Sequence, residues 1–462
     1  MQGAESLAAG PPPSAGGLPL VGVLPSLLAD PLRFCARAAA RHGGLVRLRL
    51  GPARLYLVTE PDHVRRVLAD HSENYWKGAM NHRARFLLGD GLVTSDGDFW
   101  RGQRRLIQPA FHGRRIAALA DLVTAATAAV RAEWERAAGA GEAVDVARRM
   151  QALTLEVVCR ATLGEDLSPE DVAVIGEAVS VSLRHVQLRF FTYFLPEAVR
   201  LPGQRRAEAA LARMDARVRR AIAARRSGAR GGDDLLSLLI AARTEAGEGM
   251  SDDQLHDELV TLIVAGGEAP ALALTWAWHL LARHPEVEAR LHAELDAALG
   301  GRPPAYADLP RLPFTRRVVE EAMRLYPPVW MFFRVSHGPD RLGEHLLPAG
   351  AHLALSPYVT QRDPRFWPDP EAFDPDRFAP ERAAGRHPYS YYPFGGGPRL
   401  CIGAGFALVE ATLILAALAQ GFRPRPAPGR EAVPQAAASL QPRGGMWMRI
   451  GSRIAPGDPV SG

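Results

Sequence analysis

Cys401 has the surroundings that point most directly to chemistry in this sequence. A glycine-dense loop (residues 391–400) leads to it, and an apolar run with helical character follows it from Ile402. Glycine lets the backbone approach another group closely. The N-terminus of a helix offers free N–H groups and the positive end of a dipole, which favour a thiolate over a thiol. A small buried hydrophobe is the ordinary alternative for a free cysteine.

The absence of other ligand types nearby narrows the chemistry open to Cys401. No CxxC or HxxxH pattern lies close to it, whereas zinc is usually held by several Cys and His side chains together. A single axial thiolate is a known form of haem iron ligation. The loop therefore predicts a haem iron bound through Cys401.

A second group of residues predicts an ion pair on one face of a helix. The run FTRRVVEEAMRLYPP has an apolar stripe at helical spacing, formed by Val318, Ala322 and Leu325. At about 100° per residue, Glu321 lies roughly 60° from the centre of the stripe, and Glu320 points away from it. Arg324 follows three residues later on the same face. We predict a partly buried Glu321–Arg324 pair, with a solvated surface pair as the alternative.

The composition is that of an ordinary folded protein. The chain has 462 residues, 47% of them hydrophobic and 23% charged, which excludes wholesale disorder and collagen. Its net charge is +5, but nearly all the cations are arginines dispersed among acids, which argues against nucleic-acid binding. Three scattered cysteines indicate a reducing compartment. With no signal peptide and no transmembrane segment visible, we expect a cytoplasmic protein.

Helical periodicity dominates the chain. We predict helices over about residues 31–42, 114–138, 143–163, 204–226, 251–284, 286–299 and 312–326, and strands over 44–59, 331–336, 343–356 and 444–450. The pattern predicts a mostly α fold with a small β region, without the alternating units of Rossmann or TIM folds. We expect a Pro-rich N-terminal segment over residues 1–30 and, since no linker divides the remainder, a single domain over residues 31–462.

The loop around Cys401 resembles the FxxGxRxCxG haem loop of the cytochrome P450 family. The matching residues are Phe394, Gly395, Gly397, Arg399, Cys401 and Gly403. The resemblance implies the single-domain P450 fold, a triangular helical prism, and haem b (iron protoporphyrin IX) as the cofactor. It also implies that Phe394 packs near the sulfur, Arg399 contacts a haem propionate and Cys401 is the proximal ligand.

Further segments resemble the same family along about 360 residues. EAMRLYPP resembles the family's ExxR helix, and Arg377 in FDPDRF resembles the third member that joins Glu321 and Arg324 behind the haem. DFWRGQRRLIQPAF resembles the segment that places Trp100 and Arg104 at one propionate. By the same resemblance Arg334 meets the other propionate.

The segment Leu259–Ala282 resembles the long helix that crosses the distal haem face, with one departure. Family members usually carry an acid followed by a threonine there, which pass protons to bound oxygen. This chain has Gly266, Glu268 and Ala269, so the acid is present and the threonine is missing. Pro270 cannot donate to the carbonyl of Gly266, and we expect the helix to kink or widen there.

Bulky apolar residues predict an apolar substrate pocket. They are Trp330, Met331, Phe332 and Phe333 after the Pro-Pro turn, with Met446 and Trp447 in a C-terminal turn. Core packing is the alternative for each. Residues 186–199 are a candidate lid.

The resemblance implies a monooxygenase that inserts one oxygen atom from O2 into an apolar small molecule, such as a terpene or polyketide of secondary metabolism. Electrons are expected to come from NAD(P)H through two separate proteins, a ferredoxin and its reductase. The protein itself is expected to be a monomer. Two alternatives stay open. The missing threonine favours an atypical oxidation, namely coupling, desaturation or peroxide use. A non-enzymatic haem protein that binds a ligand is the other.

Overall fold

The computed structural model describes residues 10–111, 113–164, 167–192, 199–228, 234–244 and 247–453. Helices dominate the described residues, which confirms the mostly α class with small sheets. In chain order the helices are α1 (Leu24–Ala29), α2 (Pro31–His42), α3 (Pro61–Arg65), α4 (Gly78–His82), α5 (Arg85–Leu88), α6 (Gly97–Ile107), α7 (Gly113–Ala140), α8 (Val146–Leu163), α9 (Pro169–Phe191), α10 (Gln204–Arg226), α11 (Leu235–Ala241), α12 (Asp252–Leu281), α13 (Pro285–Leu299), α14 (Pro313–Leu325), α15 (Pro357–Thr360), α16 (Pro380–Ala383) and α17 (Ala404–Ala419).

The strands are short, and in the described part of the chain they form four small sheets. They are β1 (Leu45–Leu50), β2 (Ala53–Val58), β3 (Tyr75–Trp76), β4 (Ala143–Asp145), β5 (Phe332–Ser336), β6 (Asp340–Leu342), β7 (His345–Leu347), β8 (His352–Leu355), β9 (Phe422–Pro426), β10 (Pro434–Ala436), β11 (Leu440–Pro442) and β12 (Trp447–Ser452). The sheets have the orders β1-β2-β8-β5-β3, β4-β12-β9, β10-β11 and β6-β7. All pairs are antiparallel except β2 with β8.

The chain folds into two compact units, each built from separate segments. Unit 1 comprises Met1–Ala79, Val329–Ala372 and Gly385–Cys401, and unit 2 comprises Met80–Pro328, Phe373–Ala384 and Ile402–Gly462. The described part of the predicted N-terminal segment (residues 1–30), from residue 10 onward, belongs to unit 1 together with part of the predicted domain. The assignment of residues 31–462 to a single domain stays a prediction.

Unit 1 is organised around the five-stranded sheet, which is covered on both faces. Successive strand residues point to opposite faces, and here they enter two different apolar clusters. Tyr56 and Val58 belong to one cluster with Leu353, whereas Leu55 and Leu57 belong to the other. Because both faces are buried, strand residues on either side contribute to the core.

Unit 2 has α12 as its central helix. The helix begins with a capping box, in which Gln254 N donates to Ser251 Oγ and Ser251 N donates to Gln254 Oε1. Among the described residues α12 is the one helix long and apolar enough to cross a membrane, but 78% of its apolar window is buried inside the protein. That burial is the usual condition of a core helix.

The sequence predicted most of the long elements and missed others. The predicted helices over 31–42, 204–226 and 286–299 coincide with α2, α10 and α13 to within a residue. The helix α9 was not predicted, and it includes residues 186–191 of the candidate lid. Residues 193–198 of that lid lie outside the described residues. The hairpin of β10 and β11 was also missed, because its strands have three residues each.

Candidate functional site

The predicted site residues divide between the two units. Unit 1 carries Trp330, Met331, Phe332, Phe333, Arg334, Phe394, Arg399 and Cys401. Unit 2 carries Trp100, Arg104, Gly266, Glu268, Ala269, Glu321, Arg324, Arg377, Gly403, Met446 and Trp447. Each group is described within its own unit.

The loop before Cys401 is closed by backbone hydrogen bonds. Cys401 N donates to the Phe394 carbonyl at 2.9 Å, and Leu400 N donates to the Gly397 carbonyl at 3.0 Å. Gly397 has φ +63°, and a Cβ there would lie 1.9 Å from the Leu68 carbonyl oxygen. Only glycine fits this position without moving backbone. The loop thereby holds Cys401 as an exposed thiol, and α17 begins at Ala404, two residues later than expected, with Gly403 as its N-cap.

The predicted cationic residues lie in both units. In unit 1, Arg334 is 9% exposed on β5 and its guanidinium donates to the Phe333 carbonyl at 2.7 Å. Arg399 is half-buried in the cysteine loop. In unit 2, Trp100 and Arg104 are one turn apart on α6, so that they share a face of that helix.

The structure brings Glu321, Arg324 and Arg377 together inside unit 2. The Arg324 guanidinium donates to both carboxylate oxygens of Glu321, at 2.7 and 2.8 Å. Arg377 Nε lies 3.4 Å from Glu321 Oε1, and Asp374 N donates to that oxygen at 3.0 Å. Both members of the first pair are 0% exposed. Burial raises the pKa of Glu321, and the Arg324 guanidinium opposes that shift.

Glu320 lies at the edge of the same helix, with a different partner. Its carboxylate pairs with Arg316 at 3.1 Å, and the two side chains are 16% and 57% exposed. Glu320 is therefore more covered than its angle from the apolar stripe predicted, but its partner is in water.

The middle turn of α12 is open, whereas residues 258–264 before it and residues 270–281 after it are buried. Ala265 is exposed, and Gly266, Glu268 and Ala269 are half-buried, between buried residues on either side. The helix runs from Asp252 to Leu281 without interruption, with Pro270 inside it. The kink or widening expected at Pro270 stays a prediction.

Gly266 and Gly267 give α8 room to pack against α12. A Cβ on Gly266 would lie 2.6 Å from Val158 Cγ2, and one on Gly267 would lie 3.2 Å from Leu155 Cδ1. The hydroxyl of Thr154 on α8 donates to the Gly267 carbonyl at 2.6 Å. These glycines therefore have a packing role, which the sequence analysis did not anticipate for Gly266.

Glu268 is hydrogen-bonded to the hairpin of β10 and β11. Its Oε1 accepts from Ser439 Oγ and from Gln441 Nε2, both at 2.7 Å, and Gln441 Nε2 also donates to Ser439 Oγ at 3.0 Å. Burial raises the pKa of Glu268, and the two hydrogen bonds oppose that shift. The same hairpin is fixed through Leu440, whose carbonyl accepts from Trp276 Nε1 at 2.9 Å.

The predicted pocket residues do not share one face. Phe332 packs with the cluster that contains Tyr392, whereas Met331 and Phe333 pack with the cluster on the other side of the sheet. Strand alternation is the cause. The Trp330 carbonyl accepts from Ser356 Oγ at 3.0 Å.

The two C-terminal residues predicted to line the pocket have different surroundings: Met446 is buried in the core, and Trp447 lies under an arginine side chain. Met446 is 3% exposed, and its N–H donates to Asp145 Oδ1 at 2.9 Å. The Arg430 guanidinium lies 4.7 Å from the Trp447 ring centroid. In this part of the chain, residues 439 and 441 contact α12 through Glu268, and sequence reasoning missed them because a short polar hairpin carries no motif.

Comparison with known proteins decides the family. A sequence model of the cytochrome P450 family matches residues 11–447. The chain belongs to this family. Among its relatives, cyclooctatin synthase of Streptomyces melanosporofaciens is 44% identical, over 92% of this chain and 92% of the relative. Cyclooctat-9-en-7-ol 5-monooxygenase of the same organism is 41% identical, over 90% and 89%. Pentalenene oxygenase of Streptomyces avermitilis is 34% identical, over 95% and 96%.

Solved P450 structures have the same fold. The heme domain of cytochrome P450DA superposes with a TM-score of 0.87 at 28% sequence identity, over 96% of this chain and 98% of that chain. As a P450, the protein is a haem-dependent oxidoreductase, a monooxygenase that uses O2, a small-molecule substrate and redox partners.

The P450 residues in unit 1 fit a haem. An exposed thiol ends a loop in which Gly397 has no space for a side chain. A single thiolate with arginines in the same unit suits an iron porphyrin that carries two carboxylates, because Arg side chains pair well with carboxylates. Arg334 and Arg399 are the candidates for that pairing.

We expect Glu321→Ala to lower stability and haem retention in this P450 far more than Glu320→Ala. Removing Glu321 leaves two buried guanidiniums without their carboxylate, which typically costs about 3 to 5 kcal/mol. Removing Glu320 breaks a pair with an exposed arginine, which is worth about 0 to 1 kcal/mol. Melting temperature and haem content of the two purified variants measure the difference, and equal values would contradict the structural role of Glu321.

Proposed function

We propose that this P450 oxidises a terpene, by insertion of one oxygen atom from O2 at an unactivated carbon. The observation that carries this proposal is the agreement among its relatives. Three of them, at 34 to 44% identity over nearly the whole chain, are terpene-modifying bacterial oxygenases. A terpene is one of the two apolar substrate classes, terpene or polyketide, that the family resemblance implied.

We further propose the roles of the site residues. Cys401 is the axial ligand of the haem, Phe394 and Gly403 shape its loop, and Arg399 with Arg334 binds propionates. Trp100 and Arg104 bind a propionate, as the family resemblance implies. The haem, when bound, supplies the chemistry that activates O2.

The residues of α12 have two distinct roles in this proposal. Ala265 and Ala269 are one helical turn apart, and their small side chains leave the open turn accessible to an apolar substrate. Glu268 holds a proton at its carboxyl group, where burial raises the pKa and Ser439 and Gln441 fix the orientation. The glycine at 266 keeps α8 and α12 close, so that the open turn is rigid.

We also propose the redox partners, the localisation and the oligomeric state of the protein. Electrons come from NAD(P)H through a ferredoxin and a ferredoxin reductase, and the P450 acts as a cytoplasmic monomer. The dispersed arginines of a chain with net charge +5 support docking of an acidic carrier, since complementary charge speeds association.

One alternative outcome is favoured by a specific residue. Ala269 stands where the family usually has a threonine, so an atypical oxidation such as coupling, desaturation or peroxide use is the second candidate. A non-enzymatic haem protein is not supported, because the family and the named relatives are oxygenases.

The test is reconstitution with a terpene panel under labelled oxygen. The purified P450 is combined with NADPH, a ferredoxin and its reductase, and monocyclic and polycyclic terpenes are supplied under oxygen-18 gas. We expect a substrate-induced spin shift and a product that carries one labelled oxygen atom, detected by mass spectrometry. An unlabelled desaturated or coupled product would instead establish the alternative, and no turnover of any terpene would contradict the substrate class.

A further inference from the structure

Two carboxyl groups near the start of α12 hold the loop of residues 89–96, which precedes α6 in unit 2. Asp90 N donates to Asp257 Oδ2 at 2.8 Å, and Leu92 N donates to Glu258 Oε2 at 3.0 Å. Glu258 is 0% exposed. Because burying a carboxyl group is costly unless it is hydrogen-bonded, its bond to the loop marks a specific attachment.

The loop lies so close to α12 that two of its glycines have no space for a side chain. A Cβ on Gly89 would lie 2.1 Å from Asp257 Cγ. A Cβ on Gly91 would lie 2.1 Å from Thr261 Oγ1 and 2.8 Å from the Asp257 carbonyl oxygen. The Thr261 hydroxyl also donates to the Leu88 carbonyl at 3.4 Å. Glycine at position 91 therefore serves the close approach of two backbones.

The loop is stiffened by its own side chains up to the first residue of α6. Thr94 Oγ1 donates to the Gly89 carbonyl at 2.6 Å, and Ser95 Oγ donates to the Gly91 carbonyl at 2.9 Å. Both hydroxyl residues are buried. Since α6 begins at Gly97, two residues after Ser95, the position of α6 follows the position of the loop.

The same connection is packed with apolar side chains. Leu92 of the loop, Leu259 of α12 and Trp100 of α6 belong to one buried cluster. Arg104 follows Trp100 one turn later on the same face of α6. A displaced loop would therefore move both residues that are assigned above to a haem propionate.

Asp257 is itself oriented by His256, which joins α12 to α10. Nδ1 of His256 lies 3.1 Å from Asp257 Oδ1, and its Nε2 lies 3.0 Å from Asp215 Oδ1. Burial lowers the pKa of His256, but the hydrogen bonds with Asp215 and Asp257 oppose that shift and raise the pKa to about 9. At neutral pH the imidazole is therefore protonated and donates to both carboxylates.

We propose that Glu258, assisted by Asp257, is a positioning residue for the haem. It holds residues 89–96 in place, and this loop places Trp100 and Arg104 at a propionate. The inference rests on the propionate role proposed above for Trp100 and Arg104. Neither carboxyl group touches the haem in this arrangement, because each acts on the backbone of the loop.

The experiment measures the rate of haem transfer from the holoprotein to apomyoglobin and the reduction potential of the haem iron. Glu258→Ala removes the acceptor of Leu92 N and should speed haem loss roughly tenfold, since groups that orient the ligands of a cofactor change its affinity by about 10- to 100-fold. The reduction potential should fall, because a propionate whose guanidinium partner moves away favours the ferric state. Glu258→Gln keeps an oxygen that can accept from Leu92 N, so both values should change less. Asp257→Ala should act in the same direction as Glu258→Ala but more weakly, because the Asp257 side chain is 27% exposed.

Gly91→Ala displaces the loop without changing a carboxyl group. Its Cβ would lie 2.8 Å from the Asp257 carbonyl oxygen, so it should speed haem loss and lower the reduction potential as Glu258→Ala does. Gly102→Ala in α6 is the matched control. A Cβ at Gly102 would have no atom of another described segment within 4 Å, and both values should stay those of the wild type.

Glu288→Ala is the control for the loss of a buried carboxylate elsewhere in unit 2. Glu288 lies in α13, is 4% exposed and accepts from the Arg425 guanidinium at 2.8 Å. Its removal should lower the melting temperature without lowering the reduction potential. Amide hydrogen exchange over residues 89–104 should become faster in Glu258→Ala and should keep the wild-type rate in Glu288→Ala.

Arg104→Gln separates this inference from the propionate role on which it rests. By itself it should speed haem loss and lower the reduction potential. If Arg104→Gln changes neither value, the propionate role of Arg104 fails, and the positioning role built on it fails with it. If Arg104→Gln changes both values while Glu258→Ala and Gly91→Ala change neither, or only match Glu288→Ala, the propionate role stands and the positioning role of Glu258 is wrong.

Discussion

Replacing Cys401 by serine should abolish the thiolate band in the reduced carbon monoxide difference spectrum, while the chain still folds. Only the sulfur donates strongly to iron among the groups that the loop offers, and a serine hydroxyl is a much weaker ligand. The loop itself is held by the Cys401 N–H, which donates to the Phe394 carbonyl and is retained in the variant. Circular dichroism and the melting temperature of the purified variant check that folding survives.

The chain provides two matched controls for Cys401. Cys35 is 1% and Cys159 0% exposed, and burial raises the pKa of each thiol to about 12. Both are therefore neutral thiols at neutral pH, and Cys35→Ala and Cys159→Ala should keep the thiolate band. Persistence of the band in Cys401→Ser, or its loss in either control, would show that the ligand has been assigned to the wrong cysteine.

The cysteine loop was predictable because its signals are local. Glycines, a cysteine and the start of a helix lie within about a dozen residues, and close backbone approach at Gly397 follows from residue type alone. The Glu321–Arg324 pair was predictable for the same reason, since helical spacing sets which side chains meet. The burial of the Glu320 side chain could not be predicted, because it depends on Arg316 and on the packing around the helix.

Contacts between distant segments could not be predicted in this way. Glu268 and Ser439 are 171 residues apart in sequence, and nothing in the short hairpin marks Ser439 as a partner. The role of Gly266 in oxygen chemistry stays a prediction, and its packing role could not be foreseen, because the missing Cβ makes room for Val158 of α8. The alternation of Phe332 and Phe333 between two clusters also depends on a sheet that is covered on both faces.

Glu268→Gln should lower the rate of product formation by about 100-fold without lowering stability. An amide oxygen can accept the two hydrogen bonds from Ser439 and Gln441 that Oε1 of the carboxyl group accepts in the wild type, so the hairpin of β10 and β11 stays attached to α12. An amide cannot release a proton, and loss of a general acid typically costs about 100-fold or more in rate. Product formation is measured with substrate, NAD(P)H and redox partners, alongside the melting temperature.

Glu268→Ala and Gln435→Ala separate proton transfer from attachment of the hairpin. The first removes both functions, so amide hydrogen exchange over residues 434–442 should become faster than in Glu268→Gln. Gln435 is exposed and pairs with Gln441 across the hairpin, so its truncation should leave exchange and rate unchanged. If Glu268→Gln retains the rate of the wild type and only Glu268→Ala loses activity, Glu268 is an anchor and its role as a proton donor is wrong.

Ala269→Thr tests whether the missing hydroxyl at position 269 affects proton delivery. A threonine at this position would place a hydroxyl one turn from Ala265, on the open face of α12. With a substrate analogue that lacks a polar group, Ala269→Thr should raise the product formed per NAD(P)H, because the wild type has no hydroxyl at 269 to order a proton-carrying water. With a native substrate that brings its own hydroxyl, the gain should be small.

Peroxide in place of O2 and redox partners is the third arm of the experiment, since it supplies oxygen with protons attached. If coupling is high for every substrate, peroxide is ineffective and Ala269→Thr changes nothing, position 269 has no part in proton delivery, and Glu268 with its hairpin partners must supply the proton alone.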